Sequence, residues 1–173
     1  MWYKGDAVAD SRVEAWEFIV GGGASFNHLN GRYTIHDPAG ATPDNVQVCG
    51  ALRNLATFMQ RLYYWRMRPV AGVRLVNAPP NCIMRGIGET DRQYALYLHH
   101  SAGARAAAYV VEPGEYRETI ALTLTAGAYR AEWVDPASGQ VVRCHDIAHT
   151  GGECRLTTPA HAVDIALCLK RVS

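Results

Sequence analysis

The chain has 173 residues, 49% of them apolar, with 17 basic and 16 acidic side chains and a formal charge of +1. That balance leaves no basic face for nucleic acid and no acidic tail, and the apolar content excludes disorder as the dominant state. No apolar run reaches the ~20 residues of a membrane helix, so no membrane partner is expected. Met1 to Asp6 has neither the basic start nor the apolar stretch of a secretory leader. The chain as written is expected in the cytoplasm, whereas a parent protein containing it would be open to export.

In chain order, Ser11-x-x-Glu14 has the form of a capping box, and Ala9, Val13, Trp16 and Val20 recur at helical spacing. This predicts a helix over about residues 8–20, stopped by Gly21-Gly22-Gly23. A short strand from Ala24 to Leu29 and a turn around Asp37-Pro38-Ala39-Gly40 should follow. Val48, Leu52, Leu55, Ala56, Met59, Leu62 and Tyr63 then form one apolar face of a longer helix ending before Pro69.

From Val73 onward short apolar segments alternate with turn residues. The expected strands are Cys82–Ile87, Tyr94–Leu98, Ala106–Val110, Thr119–Leu124, Ala128–Val134, Gln140–Cys144, Cys154–Leu156 and Ala162–Leu169, with turns at Ala126-Gly127 and Asp135–Gly139. Their spacing predicts an antiparallel β-sandwich over residues 73–173, behind a helix-strand-helix segment over 1–72. The fold class is therefore α+β.

Gly21-Gly22-Gly23 follows a helix instead of preceding one, which is the wrong order for a phosphate loop. Cys144, His145, His149 and Cys154 have the donor types of a zinc site, but adjacent Cys144 and His145 would point to opposite faces of a strand. A hairpin with Cys144 opposite Cys154 is the plainer reading, with a cross-strand disulfide or a metal as alternatives. His99-His100 has the same opposed-face geometry and reads as structural. Five cysteines are an odd number, and Cys168 sits in an apolar run where burial is expected. No metal and no cofactor are expected.

The segment Ala15-Trp16-Glu17-Phe18-Ile19-Val20-Gly21-Gly22-Gly23-Ala24-Ser25-Phe26-Asn27-His28-Leu29-Asn30, with Leu52-Arg53-Asn54-Leu55 and Arg66-Met67-Arg68-Pro69, resembles the last helix-strand-helix part of apiosidase-like glycoside hydrolases. Gln93–Leu98 and the Tyr129-Arg130-x-x-Trp133-x-Asp135-Pro136-x-x-Gly139 pattern resemble the β-sandwich appended to those (β/α)8 barrels, called a collagen-binding-type domain. The resemblance implies a barrel-end remnant followed by the sandwich, with Trp133 in its core. It also implies that the two carboxylates of a glycosidase lie on barrel strands this chain does not carry, so no catalytic residue is assigned. Glu14 and Glu17 read as cap and solvated face, and Asp37 and Asp44 as turn and helix-start residues.

In such barrels the strand ends build the site. Asn27, His28, Asn30 and Tyr33 are therefore the expected substrate-binding residues, their amides, imidazole and ring suiting a sugar. The expected function is that of a fragment or accessory module with carbohydrate or partner binding and no complete active site. Two alternatives stand beside it. One is a glycoside hydrolase acting on plant-type polysaccharide, completed by a barrel-bearing partner or by self-association. The other is a structural module that stabilises a catalytic domain.

Overall fold

A computed structural model of the chain describes residues 7–26, 37–77, 79–102 and 110–172. It is an α+β protein with two helices packed against an antiparallel, sandwich-like sheet. The helices are α1 (Ala7–Val20) and α2 (Pro43–Gln60). The strands are β1 (Arg68–Pro69), β2 (Arg74–Val76), β3 (Cys82–Glu89), β4 (Gln93–Ala102), β5 (Val110–Val111), β6 (Thr119–Val134), β7 (Val141–Thr157) and β8 (Asp164–Arg171). Hydrogen bonding orders them β1-β3-β4-β8-β6-β2, with β5 on β4 and β7 on β6. No helix among the described residues is long and apolar enough to cross a membrane.

Strand alternation divides the core into two parts. On β4 and β8, Ala95, Tyr97, Ala166 and Cys168 face α1 and α2, meeting Trp16, Val20, Leu55, Phe58 and Leu62. The opposite parity, Tyr94, Leu96, Leu98, Ile165, Leu167 and Leu169, enters a second core with Tyr129 and Trp133. Tyr94 and Tyr97 thus lie on opposite faces, and Trp133 and Cys168 are buried, as their positions suggested.

The second core is closed by one long hairpin. Ile120, Leu122 and Leu124 of β6 and Cys154 and Leu156 of β7 belong to it, as do Tyr129, Ala131 and Trp133. Inward residues are therefore even-numbered up to Leu124 and odd-numbered from Tyr129, a turn-over that both strands make together, since their pairing register holds from Thr119↔Thr157 to Trp133↔Arg143. Gly151 and Gly152 stand opposite this bend with φ of 98° and 99°, a region that disfavours a side chain. Arg171 braces the bend, its Nη2 donating to the Ala126 carbonyl at 2.9 Å and its Nη1 to Thr125 Oγ1 at 3.3 Å. The four strands expected on either side of Ala126-Gly127 and of residues 145–153 are thus two continuous ones, because the glycines bend the ladder without ending it.

Other expectations are corrected locally. α1 already runs through Ser11 and Glu14, so Ser11 is an interior, buried residue and no capping box starts the helix there. The glycine stop does form, with the Gly21 amide donating to the Glu17 carbonyl at 2.8 Å and that of Gly23 to Phe18 at 2.9 Å. Ala24 to Phe26 are not in a strand, and the remainder of that expected strand lies outside the described residues. α2 ends at Gln60, and a 3₁₀ turn over Tyr64–Arg66 leaves Tyr63 and Trp65 exposed. The turn at Asp135–Gly139 is where sequence put it, capped by its own aspartate, whose Oδ1 accepts from the Ala137 amide at 3.0 Å. α2 docks there through Asn54 Nδ2, which donates to the Ala137 carbonyl at 2.9 Å. Asp37 likewise closes its turn, accepting from the Ala41 amide at 2.7 Å.

If the first half of β6 is core, Leu122→Ala will destabilise the protein by about 2–5 kcal/mol, the same range as Leu167→Ala. Urea unfolding of both variants checks this. A loss below about 0.5 kcal/mol for Leu122→Ala alone would mean that the hairpin end swings free of the sheet.

Candidate functional site

Asn27, His28, Asn30 and Tyr33, the expected sugar contacts, lie outside the described residues. What the structure does show is the point from which the chain leaves toward them. Tyr64 Oη donates to the Gly23 carbonyl at 2.7 Å, tying the end of α1 to the 3₁₀ turn that carries Trp65.

Beside that turn lies a groove of about 660 Å³, lined among others by Tyr63, Glu89, Asp91, Arg92, Gln93 and Lys170. Its floor is held by Gln93, whose Oε1 accepts from the Tyr63 amide at 3.1 Å and whose Nε2 donates to Glu89 at 3.0 Å. Glu89 is also within 3.6 Å of Arg92 and 3.7 Å of Arg66. Tyr63 and Trp65, 59% and 68% exposed, meet edge to face at 5.4 Å. Two exposed aromatic rings next to fixed donors and acceptors form a surface that suits an amphipathic, hydroxyl-rich ligand. Sequence reasoning missed it because Tyr63 fell on the helical apolar period, and only the early end of α2 turns it outward.

Under α1 lies a buried polar network. Arg12 grips Asp164 with two hydrogen bonds of 2.9 and 3.0 Å, and Tyr97 Oη donates to the same carboxylate at 2.9 Å. Beside it, His99 sits 3.2 Å from Glu17 and 2.9 Å from Ser101 Oγ, and Arg85 reaches Glu17 at 2.6 Å. Glu17 is therefore a buried partner and not the solvated residue its helix position suggested. Every carboxylate here is engaged in joining α1 to the sheet.

His100 points the other way, into a second polar cluster. It is the register partner of Cys82 across β3 and β4, so both side chains share a face. Before β6, Tyr116 pairs with His161 in an isolated bridge, and Glu118, two residues on, turns to the same side. One donor atom each from Cys82, His100 and Glu118 lies within 4.8 Å of the others. His100 Nε2 is 2.8 Å from Glu118 Oε1, and His161 Nε2 is 3.3 Å from Glu118 Oε2. Burial first, and Glu118 second, push the Cys82 thiol up to about 12. Burial is also the largest influence on His161 and lowers its pKa, against the opposing effect of its hydrogen bond to the Pro159 carbonyl. No local spacing connects these four residues, so sequence offered no signal for them.

The cysteine and histidine set that sequence did single out is not brought together. Cys144 faces Glu132 and Cys154 faces Leu122, both on β7, so the two cysteines are on one strand and not opposite each other. Cys144 is exposed and Cys154 buried, and no disulfide forms among the described residues. Fold and pairing define an α+β protein with an antiparallel sandwich-like sheet, two exposed aromatics at a polar groove and a buried thiol-imidazole-carboxylate cluster. The sequence matches no protein-family model, and a search of curated proteins finds no match.

The buried Tyr97 carries a pH prediction. Burial first, and the Asp164 carboxylate next, hold its phenol protonated well above the ordinary value of 10.0. The folded state therefore keeps a proton that the unfolded chain releases, so this contribution is present below pH 10 and is lost as pH rises further. Tyr97→Phe will cost about 1 kcal/mol at neutral pH for the lost hydrogen bond and will flatten the decline of stability above pH 10. Denaturant midpoints measured from pH 7 to 11 on both proteins provide the check.

Proposed function

We propose that this chain is an accessory module that binds carbohydrate and carries no complete active site of its own. The observation that carries the reading is the exposed Tyr63–Trp65 pair beside the groove at Glu89, Asp91, Arg92, Gln93 and Lys170. Two exposed aromatic rings in contact form a contiguous apolar patch of the kind that marks a binding surface, and a sugar ring offers them an apolar C–H face while its hydroxyls meet charged and amide groups. The resemblance to the sandwich of apiosidase-like glycoside hydrolases favours the same ligand class. It also suggests a (β/α)8 barrel as the neighbour such a module would serve, whether in the same protein or as a partner. Asn27, His28, Asn30 and Tyr33 remain the sugar contacts that the same resemblance implies.

The noncatalytic part of the reading is supported by how the buried acids are used. Glu17 is engaged by His99 and Arg85, and Asp164 by Arg12 and Tyr97. Both carboxylates are thus committed to joining α1 to the sheet, whereas glycoside hydrolysis uses an acid and a nucleophile or base that are free to face each other across the bond.

The test is retention on immobilised plant polysaccharides and on a glycan array, with aryl glycoside hydrolysis assayed in parallel. The intact chain is expected to be retained without turnover. Trp65→Ala and Tyr63→Ala should each lower retention at least about tenfold, the worth of ~1.4 kcal/mol, while thermal stability stays within a degree or two of the parent because both side chains are exposed. Turnover by the chain alone would overturn the noncatalytic reading, and retention unchanged in both variants would remove the groove from it.

A further inference from the structure

We propose that Cys82, His100, Glu118 and His161 form a binding site for one divalent cation of the zinc type. The donor set is one thiol sulfur, two imidazole nitrogens and one carboxylate oxygen, the chemistry of a closed four-ligand zinc site. Zinc holds nitrogen and oxygen at about 2.0–2.2 Å and sulfur at about 2.3 Å, which puts neighbouring tetrahedral ligands roughly 3.3–3.6 Å apart. Cys82, His100 and Glu118 each offer an atom within 4.8 Å of the others, with Glu118 Oε1 2.8 Å from His100. His161 lies 3.3 Å from the other oxygen, Oε2, outside that triad, and must swing toward it to complete the tetrahedron.

The polar atoms in the cluster also lack what they need without an ion. His161 Nδ1 lies 3.1 Å from the Pro159 carbonyl, which can only accept, so that nitrogen carries the ring proton. The other nitrogen, Nε2, then presents its lone pair to Glu118 Oε2. Both atoms are buried and neither has a hydrogen-bond partner. His100 Nε2 is in the same condition, close to Glu118 Oε1 but without the alignment of a hydrogen bond. Two electron-rich atoms facing each other out of water, beside a third buried nitrogen that makes no hydrogen bond, are unfavourable, and a cation among them satisfies all three.

The surroundings are those of a supported site. His161 donates its second nitrogen to a backbone carbonyl, the arrangement that fixes the tautomer of a metal-bound histidine. The His100 ring lies flat on Tyr116, with ring centres 3.4 Å apart and planes within 2°. Glu118 is held by its backbone, its amide donating to Thr158 Oγ1 at 3.0 Å and its carbonyl accepting from the Thr158 amide at 2.9 Å. On binding, the Cys82 S–H bond breaks, sulfur bonds to the metal and the proton passes to solvent. Thiolate and carboxylate together neutralise the 2+ ion, so no net charge is buried. With four protein ligands the site is structural, clamping the β3–β4 hairpin to the segments before β6 and β8. No metal was expected from the sequence, whose donor spacing suggested one only as an alternative at Cys144–Cys154, so these four residues depart from that expectation.

Cobalt(II) titration of the metal-stripped full chain tests the site, with zinc content of the purified protein measured alongside. The expected result is one equivalent bound, with a thiolate-to-cobalt charge-transfer band and visible bands of tetrahedral intensity. Cys82→Ser should abolish the charge-transfer band, His161→Gln should weaken cobalt binding by more than about tenfold, and Cys144→Ser should leave both unchanged. Should Cys82→Ser fail to fold, alkylation of the parent gives the same answer, zinc protecting Cys82 while Cys144 reacts as before. Absence of stoichiometric binding, a six-coordinate spectrum without a sulfur band, a band lost in Cys144→Ser but kept in Cys82→Ser, or alkylation of Cys82 indifferent to zinc would each overturn the proposal.

Discussion

The change of parity within β6 and β7 governs how this chain closes its second core. A sheet with helices on one side leaves its other face apolar, and here Leu96, Leu98, Leu167 and Trp133 would lie open to water. Covering them takes another layer, and the chain makes it from strands already in the sheet. Ile120, Leu122 and Leu124 can face the same core as Tyr129, Ala131 and Trp133 only because the two strands turn over together between Leu124 and Tyr129, at the positive-φ glycines and with their pairing register unchanged. Burying a leucine of this kind is worth about 1.5–3 kcal/mol, so the bend is set by several such side chains against the strain of one irregular turn.

Much of this frame was legible in the sequence where the period was short and unbroken. β4 and β8 are short, nearly continuous apolar runs buried on both faces, and the turn at Asp135–Gly139 carries an aspartate, a proline and a glycine, each with its own local reason to be there. α1 was legible from the spacing of Val13, Trp16 and Val20. The bend was not, because Ala126-Gly127 and Gly151-Gly152 have the chemistry of strand ends. Whether a glycine ends a strand or bends it depends on the apolar residues beyond it finding the same core, which is a matter of tertiary structure. Tyr63 was misplaced for a related reason: its period matched the helix, but the helix had already ended.

The polar clusters were less legible still. Arg12 and Asp164, or Cys82 and Glu118, are far apart in sequence and meet only through strand pairing. Their local surroundings say little, since Glu17 follows a helical pattern that suits a solvated residue equally well. What distinguishes them is burial together with a partner, and both properties belong to the folded chain. By contrast the one set with suggestive local spacing, Cys144 to Cys154, is spread along a single strand.

The adjacent histidines of β4 have a consequence for how the sheet is assembled. His99 is matched to Glu17 on the helix side and His100 to Glu118 on the other, so consecutive residues of one strand are specified independently from the two faces. Slipping β4 by one residue against its neighbours would turn His99 away from its acid and His100 away from its own. It would also send Leu96 and Leu98 toward the helices. Apolar strands read a slip mainly as poorer packing, which neighbouring side chains partly absorb. Here the two imidazoles act as a pair of opposed keys, and a misregistered sheet would strand buried polar groups on both sides at once.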